Sequence, residues 1–558
     1  MEMDPPPANE LLFAVTNFSG AIADRTYAPV ADGVARCYAD LLPDEATSDQ
    51  RDAFAALIQF IHGEGLSSAS VPTLHGAASQ SRVLSGYAGT GKTWLLVQLI
   101  MAATNQRVAV CAPTHKAVSV ITTKLAESKP KGKIWSGTLH ALLGLRLRED
   151  RDGGMRLDLD RQDKGTYFED YDLVVIDESS MVGTQLLSHI AHFQHSGRRP
   201  RVLYVGDPGQ LLPIEPEMAA EDLGPLFAQS DAPEKHRTPP VFETVQEHHA
   251  LIEIVRQKST GKPHPIAVFA QEIRRYIEGT ATGVFTPARA QEFISAHTDE
   301  MGREVLTAPV DRLADGAVTL RTRFPSKDIR VVAWRNQVVD RHNAFIHREL
   351  APLFKAEGNL PEAPFWPGET LVARESMYGF KPAARAHRRG AKFWEDALSP
   401  TLEENNQQRK ERSDDVILVQ NNTEMTVRSC VSMAHPYADI ASWWITAEMP
   451  GQEVVEFFVA NNPLEHRRLQ QATWDEYRNA PRRTAAGSQR AWVMTRACAP
   501  AMHAYAMTAH KSQGSTFHYA IVDLNDLYGM VRKSGPDEYH RAFYVAVTRA
   551  SERVWIGI

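Results

Sequence analysis

Cysteine is scarce in this chain. Four occur among 558 residues, Cys37, Cys111, Cys430 and Cys498, and no two have a CxxC spacing. That excludes a disulfide frame and a cysteine zinc site, and it fits reduced thiols in a cytoplasmic-type compartment. No run of about 18 apolar residues is present, so no membrane-spanning helix is expected. The opening MEMDPPPANELLFAV is acidic and Pro-rich and lacks the basic segment of a signal peptide. Positive charge is not in excess: 61 Lys and Arg against 68 Asp and Glu leave a formal charge of -7. A wholly basic coat for nucleic acid is therefore excluded, whereas a locally basic groove is not. Internal repeats are also missing. What remains is ordinary globular composition, 43% hydrophobic and 23% charged, in a chain too long for one core, so several domains are expected.

Against that background one stretch is dense with chemistry. SRVLSGYAGTGKTWLLVQLIMAA contains Gly86-Tyr-Ala-Gly-Thr-Gly-Lys92-Thr93, a G-x-x-x-x-G-K-[ST] phosphate loop. A short strand at Val83-Leu84 precedes it and an apolar helix from Trp94 to Ala103 follows. Glycines at such a turn let main-chain N–H groups close around phosphate oxygens, and the helix N-terminus adds its positive end. Gly86, Gly89, Thr90, Gly91, Lys92 and Thr93 are the candidate nucleotide contacts, with Lys92 reaching the β and γ phosphates and Thr93 holding Mg²⁺. Further on, Leu173 to Ile176 reads as a buried parallel strand ending in Asp177-Glu178. This acidic pair is expected beside the phosphate loop, Asp177 as a Mg²⁺ ligand and Glu178 polarising the attacking water. ATP and Mg²⁺ are the cofactors expected.

Two more strands end in polar loops at what is expected to be the same sheet edge. Val108 to Cys111 runs into Ala112-Pro-Thr-His-Lys116, and Val202 to Val205 into Gly206-Asp-Pro-Gly-Gln210. Gln210 is placed to sense the γ-phosphate. These segments, with Thr138-Leu-His140, Asp177-Glu-Ser-Ser-Met181, Ile254-Val-Arg256-Gln257, Thr508-Ala-His-Lys-Ser-Gln-Gly514 and Tyr544-Val-Ala-Val-Thr-Arg549, stand in the order of superfamily 1 helicase motifs. Over residues 45–558 the chain resembles that superfamily, and DESSM, GDPGQLLPI, HKSQGST and YVAVTRA resemble its RecD/Dda branch.

The resemblance implies two RecA-like lobes with ATP between them and 5′-to-3′ movement on single-stranded DNA. It makes Thr47-Ser-Asp-Gln50 similar to the Q motif, with Gln50 reading adenine. Arg256 and Arg549 become candidates for the cations that phosphoryl transfer needs, an arginine finger contributing ~10³–10⁵ in rate. Gly514 and its loop are expected towards the phosphates. Pro113, Thr114, His115, Thr138, His140, Thr508, His510 and Ser512 are expected on the DNA side, where hydroxyls, imidazoles and main-chain amides contact phosphate without reading sequence. Binding is then indifferent to sequence and weakened by salt.

The expected organisation is α/β: an N-terminal extension, 1–44; lobe 1A, 45–240, carrying a β-hairpin insertion 1B at 145–168; a first part of lobe 2A, 241–360; an inserted SH3-like β-barrel 2B, 361–495; and the rest of lobe 2A, 496–558. Leu145 to Arg161 alternates apolar and charged residues around Asp152-Gly-Gly154, a hairpin signal. Its tip, with Asp152, Gly153 and Met155, is expected either to be the strand-separating pin of related enzymes or to be a solvated hairpin. Trp334, at a strand end, is expected either to stack on a base or to pack in a core. The run MYGFKPAARAHRRGAKFW interleaves basic and aromatic residues and suits either a single-strand path or a solvated excursion. Residues 277–320 and 460–490 read only as helices and loops.

The expectation is an ATP-dependent, DNA-stimulated helicase acting as a monomer on single-stranded DNA and single-strand/duplex junctions. It is expected in the cytoplasm of a bacterial or phage-infected cell, with a replication or single-strand-binding protein as a further partner. One rival keeps the motor but strips bound proteins without unwinding. A second, from another class, is a P-loop kinase or switch ATPase with a binding module, whose turnover ignores single-stranded DNA.

Overall fold

A computed structural model describes residues 42–558 except 63–79, 104–105, 131, 133, 150–154, 160–166, 197–199, 214–237, 256–263, 356–362, 380–415, 420, 436–439, 450–452 and 483. The chain divides into two compact units. Unit 1 comprises Met1–Leu147, Leu157–Ala308 and Ser512–Ile558, and unit 2 comprises Arg148–Arg156 and Pro309–Lys511.

Unit 1 is built on a six-stranded parallel sheet. Its strands are β1 (Ser81–Gly86), β2 (Val108–Ala112), β3 (Ile134–Thr138), β6 (Leu173–Ile176), β7 (Arg201–Gly206) and β8 (His248–Leu251), in the order β3-β2-β6-β7-β1-β8. β4 (Leu145–Glu149) and β5 (Met155–Leu159) pair with each other. Alternate strand residues face opposite sides. Leu84, Val110, Val175 and Val205 enter one core with α1 (Ser48–His62) and α2 (Lys92–Ala102). Val83, Ala109, Ile176 and Tyr204 enter the other. Burial on both faces explains why these strands are continuously apolar. α3 (His115–Ser128) follows β2, α4 (Pro265–Ile277) lies beyond β8, and β9 is Val305–Ala308. β7 lies between the acidic strand β6 and the phosphate-loop strand β1, pairing with each.

In unit 2, β10 (Ile329–Ala333) pairs in parallel with β18 (Ala506–Thr508), and α5 (Asn336–Lys355) packs on both. Asn343 on that helix completes the pairing: its Nδ2 donates to Ala506 O at 3.1 Å and its Oδ1 accepts from Ala506 N at 2.7 Å. A five-stranded antiparallel sheet, β16-β15-β14-β11-β17, holds its own core around Trp366, Leu371, Val427, Trp443 and Ile445. β11 is Thr370–Ala373, β14 Glu424–Ala434, β15 Ala441–Glu448, β16 Val454–Ala460 and β17 Ala501–His503. β12 (Met377–Gly379) pairs with β13 (Val416–Val419). Segment 460–490 resolves into the helical hairpin α6 (Pro463–Asn479) and α7 (Ala485–Arg496).

Unit 1 also contains β19 (Phe517–Asp523) and β20 (Ala550–Gly557), parallel to each other, with β9 parallel to β20. β9 lies in the segment read only as helices and loops; four residues with a single fully buried side chain, Val305, carry too little pattern to be seen. AFYVAVT, which reads in sequence as passing from strand to helix ahead of Arg549, is helical throughout, part of α8 (Pro536–Thr548), and β20 begins after Arg549. Ten consecutive residues of α8, Tyr539 to Thr548, are buried, so the apolar face is the whole helix and its period is hidden. Among the described residues Cys111, Cys430 and Cys498 are free thiols, and no helix is long and apolar enough to cross a membrane.

Candidate nucleotide site

The phosphate loop is preformed. Gly89 and Gly91 take φ of 89° and 84°, a region that penalises side chains. Lys92 Nζ donates back to Gly86 O at 2.6 Å and Tyr87 O at 3.0 Å, bracing the loop around its own start. Thr90 Oγ1 donates to Tyr87 O at 2.9 Å. Gln50 is 2% exposed and its Nε2 donates to Thr90 O at 2.9 Å. A Cβ on Gly91 would meet that same nitrogen at 2.5 Å, so the Gln50 segment lies directly on the loop.

Asp49 was missed by motif reading, although it sits beside Gln50. Its Oδ2 accepts from the main-chain N–H of Ile252 (2.6 Å) and Glu253 (2.9 Å). Burial works against its charge, but hydrogen bonds from Thr47, Glu253, Ile252 and Gln50 hold its carboxyl below the ordinary value. Val255 N then donates to Gly89 O at 2.9 Å, which carries the chain onto the phosphate loop one residue before Arg256. Arg256 itself lies outside the described residues.

At the end of β6, Asp177 Oδ1 accepts from Glu178 N at 2.9 Å. Burial, and then the charge of Glu178, push the Asp177 carboxyl up to about 7. Glu178 has φ 52°, one of three non-glycine residues with positive φ among those described. A strained backbone that aims a carboxylate is a common feature of functional sites. A Cβ on Gly514 would lie 4.0 Å from Glu178 Oε1, so the glycine of the late loop sits against this acid. Gln210 is 4% exposed and accepts from Ser180 Oγ at 3.3 Å. Arg549 is 6% exposed, and its guanidinium donates to Val545 O, Ser515 O and Thr548 Oγ1, each at 3.2 Å.

The residues expected to face DNA fall at strand-to-helix turns. Thr114 caps α3, accepting from Ala117 N at 3.3 Å, and Thr138 accepts from Ala141 N at 3.2 Å at the end of β3. β2 and β3 pair Ala112 with Thr138, which puts Pro113, His115 and His140 along the same edge of the sheet. Burial depresses both imidazoles, His115 further through His140 and His140 through His189, so this edge carries neutral histidines. In unit 2, Thr508 Oγ1 accepts from Lys511 N at 3.3 Å and Trp334 is half-buried at the end of β10. Ser512 is 0% exposed, and Thr138 and Thr508 are each 7% exposed. Met155 begins β5, whereas Asp152 and Gly153 lie outside the described residues, as does the basic–aromatic run beyond Gly379.

A phosphate loop at the end of β1, an acidic pair at the end of β6 and a polar sensor loop on the strand between them define a P-loop nucleoside triphosphatase core. Residues 69–275 match the AAA domain family, and residues 503–556 match the UvrD-like helicase C-terminal domain. The chain is 30% identical over 167 residues to the RecBCD enzyme subunit RecD of Mycobacterium tuberculosis (strain CDC 1551 / Oshkosh), 27% of each chain. It is 27% identical over 143 residues to uncharacterized protein R530 of Acanthamoeba polyphaga mimivirus, 24% of this chain and 28% of that one. The chain thus spans about a quarter of the length of these relatives. Among solved structures it is similar to a Pif1 helicase from Bacteroides in complex with ADP-AlF3 and ssDNA (17% identity, TM-score 0.41, covering 86% of this chain and 88% of that one). It is also similar to the Pif1 helicase from Candida albicans (16%, TM-score 0.39, 87% and 93%).

Proposed function

We propose that the chain is an ATP-dependent DNA helicase that moves 5′ to 3′ on single-stranded DNA and unwinds duplex. The observation that carries the reading is the gathering of Lys92, Asp177-Glu178, Gln210 and the late-loop Gly514 in unit 1, with Gly514 against Glu178. The loop containing Gly514 begins at Thr508 and His510, on the side expected to hold DNA. One loop that meets both the hydrolytic acid and the strand is what a motor needs.

In this reading Lys92 binds the β and γ phosphates, Gln50 holds the adenine end, Glu178 polarises water, and Gln210 reports the γ-phosphate. Arg549 and Arg256 supply cations, Arg549 after leaving its main-chain acceptors. Thr93 and Asp177 would hold Mg²⁺, and the carboxylate whose charge is disfavoured by burial and by Glu178 is suited to a hard cation. A cation held by these two residues would supply charge neutralisation at the phosphates. Thr114, His115, Thr138, His140, Thr508 and His510 face phosphates of the strand, and Trp334 is a stacking candidate. The five-stranded antiparallel sheet supports an SH3-like 2B insertion, and the β4–β5 hairpin supports a 1B pin. Lobe 1A takes 45–240 and lobe 2A takes 241–360 and 496–558, except that β8 (His248–Leu251) belongs with the 1A sheet. The chain acts as a cytoplasmic monomer on single strands and junctions, with a replication or single-strand-binding protein as partner.

The deciding experiment is unwinding of duplexes bearing a 5′ or a 3′ single-stranded tail, with Lys92→Ala as control. Unwinding of the 5′-tailed duplex alone is expected. Unwinding of only the 3′-tailed duplex rules out the branch, and ATP turnover indifferent to single-stranded DNA rules out the motor. Translocation with displacement of bound protein but no unwinding selects the stripping translocase.

A further inference from the structure

α8 does more than carry Arg549. Tyr544, on this helix, is 1% exposed, and its hydroxyl makes two hydrogen bonds. It accepts from Ala88 N, inside the phosphate loop, at 3.0 Å, and donates to Asp207 Oδ2 at 2.9 Å. Asp207 is 0% exposed and opens the loop that ends in Gln210; its other oxygen accepts from Gly209 N at 2.8 Å. One helical turn earlier, Arg541 Nη1 donates to Pro208 O at 2.5 Å and Gln210 O at 2.9 Å. A Cβ on Gly209 would meet Asp207 Oδ1, Tyr544 Cε1 and Tyr87 Cε1, each at 3.3 Å, so the loop is pressed against both tyrosine rings. The helix therefore grips three residues of the sensor loop and one of the phosphate loop, all through buried polar atoms.

Neither Tyr544 nor Arg541 aims at the place where phosphates bind. Their partners are the main chain that sets Gln210 and the first half of the phosphate loop. We propose that Tyr544 is a positioning residue that ties the phosphate loop to the Gln210 loop, with Arg541 as its second anchor, so that a shift of α8 moves both loops together. The inference deepens the ATPase part of the proposed function and rests on it, but it does not require unwinding or DNA polarity. Because Ala88 is not itself among the loop residues expected to contact the nucleotide, loss of the hydroxyl should disturb turnover more than nucleotide binding.

The test is steady-state ATP hydrolysis by the full chain, with and without oligo(dT), alongside binding of a fluorescent ATP analogue. Tyr544→Phe is expected to lower kcat about tenfold, an activation cost near 1.4 kcal/mol, with KM and analogue affinity within about twofold of wild type. Phe leaves the buried Asp207 carboxylate short of a donor, so destabilisation must be separated from coupling. The double variant Tyr544→Phe/Asp207→Asn removes that charge. It should regain the wild-type melting temperature while kcat stays low. Recovery of kcat together with melting temperature overturns the proposal and leaves Tyr544 a structural residue. An unchanged kcat in Tyr544→Phe, or a rise in KM with kcat intact, also overturns it. If wild-type turnover ignores oligo(dT), the helicase reading fails while the Tyr544 test still runs on basal turnover.

Discussion

The phosphate-loop end of unit 1 and the late-loop end of unit 2 are both held by buried polar side chains, yet they are held differently. In unit 1 the holders are themselves motif residues or near neighbours of them: Gln50 on Thr90, Lys92 on Gly86, and Tyr544 on Ala88 and Asp207. In unit 2 the stretch from His503 to Lys511 is held by residues far from it in sequence. Asn343 pairs with Ala506, Glu369 receives Tyr505, and Asn422 Nδ2 donates to Lys511 O at 2.8 Å. Lys511 Nζ in turn donates to Arg374 O at 2.8 Å, beside β11. The inserted antiparallel sheet thus touches the late loop by two bonds in opposite directions. Ligand-touching groups repeat in recognisable patterns because the ligand is constant. Groups that only hold a loop are free to come from anywhere.

The comparison is broken most severely at Lys92. Lys92→Ala removes both a phosphate partner and the brace on Gly86 and Tyr87, and turnover should fall by on the order of 10²–10³-fold; retained turnover in a single-cycle assay would contradict the site.

Glu369 should give the next largest effect, and on stability instead of chemistry. Its side chain is 1% exposed and accepts from His347 Nδ1, Trp366 N and Tyr505 Oη. Glu369→Ala leaves these donors buried, and unit 2 should lose about 3 kcal/mol by denaturant titration, while ATP-analogue affinity in unit 1 holds. His347 and His503 also stack, with ring centroids 4.2 Å apart and planes 29° apart. Glu369 and the two histidines thus form a compact polar pillar, with their side-chain N and O atoms all within 4.8 Å of one another.

Acid should attack the same pillar. Burial pushes His503 down to about 4, with Glu369 opposing and His347 adding to the shift. Glu369, despite burial, is held below its usual range by His347, His503 and Tyr505. Both folded-state values lie below the unfolded ones. Stability from His503 is therefore complete above about 6.5 and lost as pH falls from there towards 4, and the Glu369 share goes at lower pH still. Melting of unit 2 should fall over that window by on the order of 1–2 kcal/mol, after allowing for partial exposure. His503→Asn should flatten the dependence between pH 6.5 and 4; an unchanged slope would assign it elsewhere.

The smallest effect expected is at Asn422, which has φ 64°. Asn422→Gly keeps the backbone but loses the bond to Lys511, about 1 kcal/mol. Asn422→Ala adds left-handed strain and should cost more. If Gly and Ala behave alike in thermal melts, the turn conformation is not what matters there.

Much of unit 1 is legible in sequence. Val83-Leu84, Leu173 to Ile176 and Val202 to Val205 are apolar runs because both sheet faces are covered, and each run ends where a polar loop begins. β9 and the full extent of helix α8 are not legible, the first too short and the second buried over its last ten residues. The insertion of β7 between β1 and β6 also carries no local signal, since strand order depends on crossovers and not on strand composition. Burial of single residues is not legible either: nothing local to Ser512 records that it is 0% exposed.

Sequence alone determined the triphosphatase chemistry, because a glycine-rich loop, a lysine and an acidic pair at strand ends are required at fixed local spacing whatever surrounds them. Tertiary structure alone decided which side chains hold those loops. Tyr544 is 456 residues from Ala88, and Asn422 is 89 from Lys511. Contacts over such separations follow from how buried polar atoms find partners once the chain is packed, and no local pattern records that outcome.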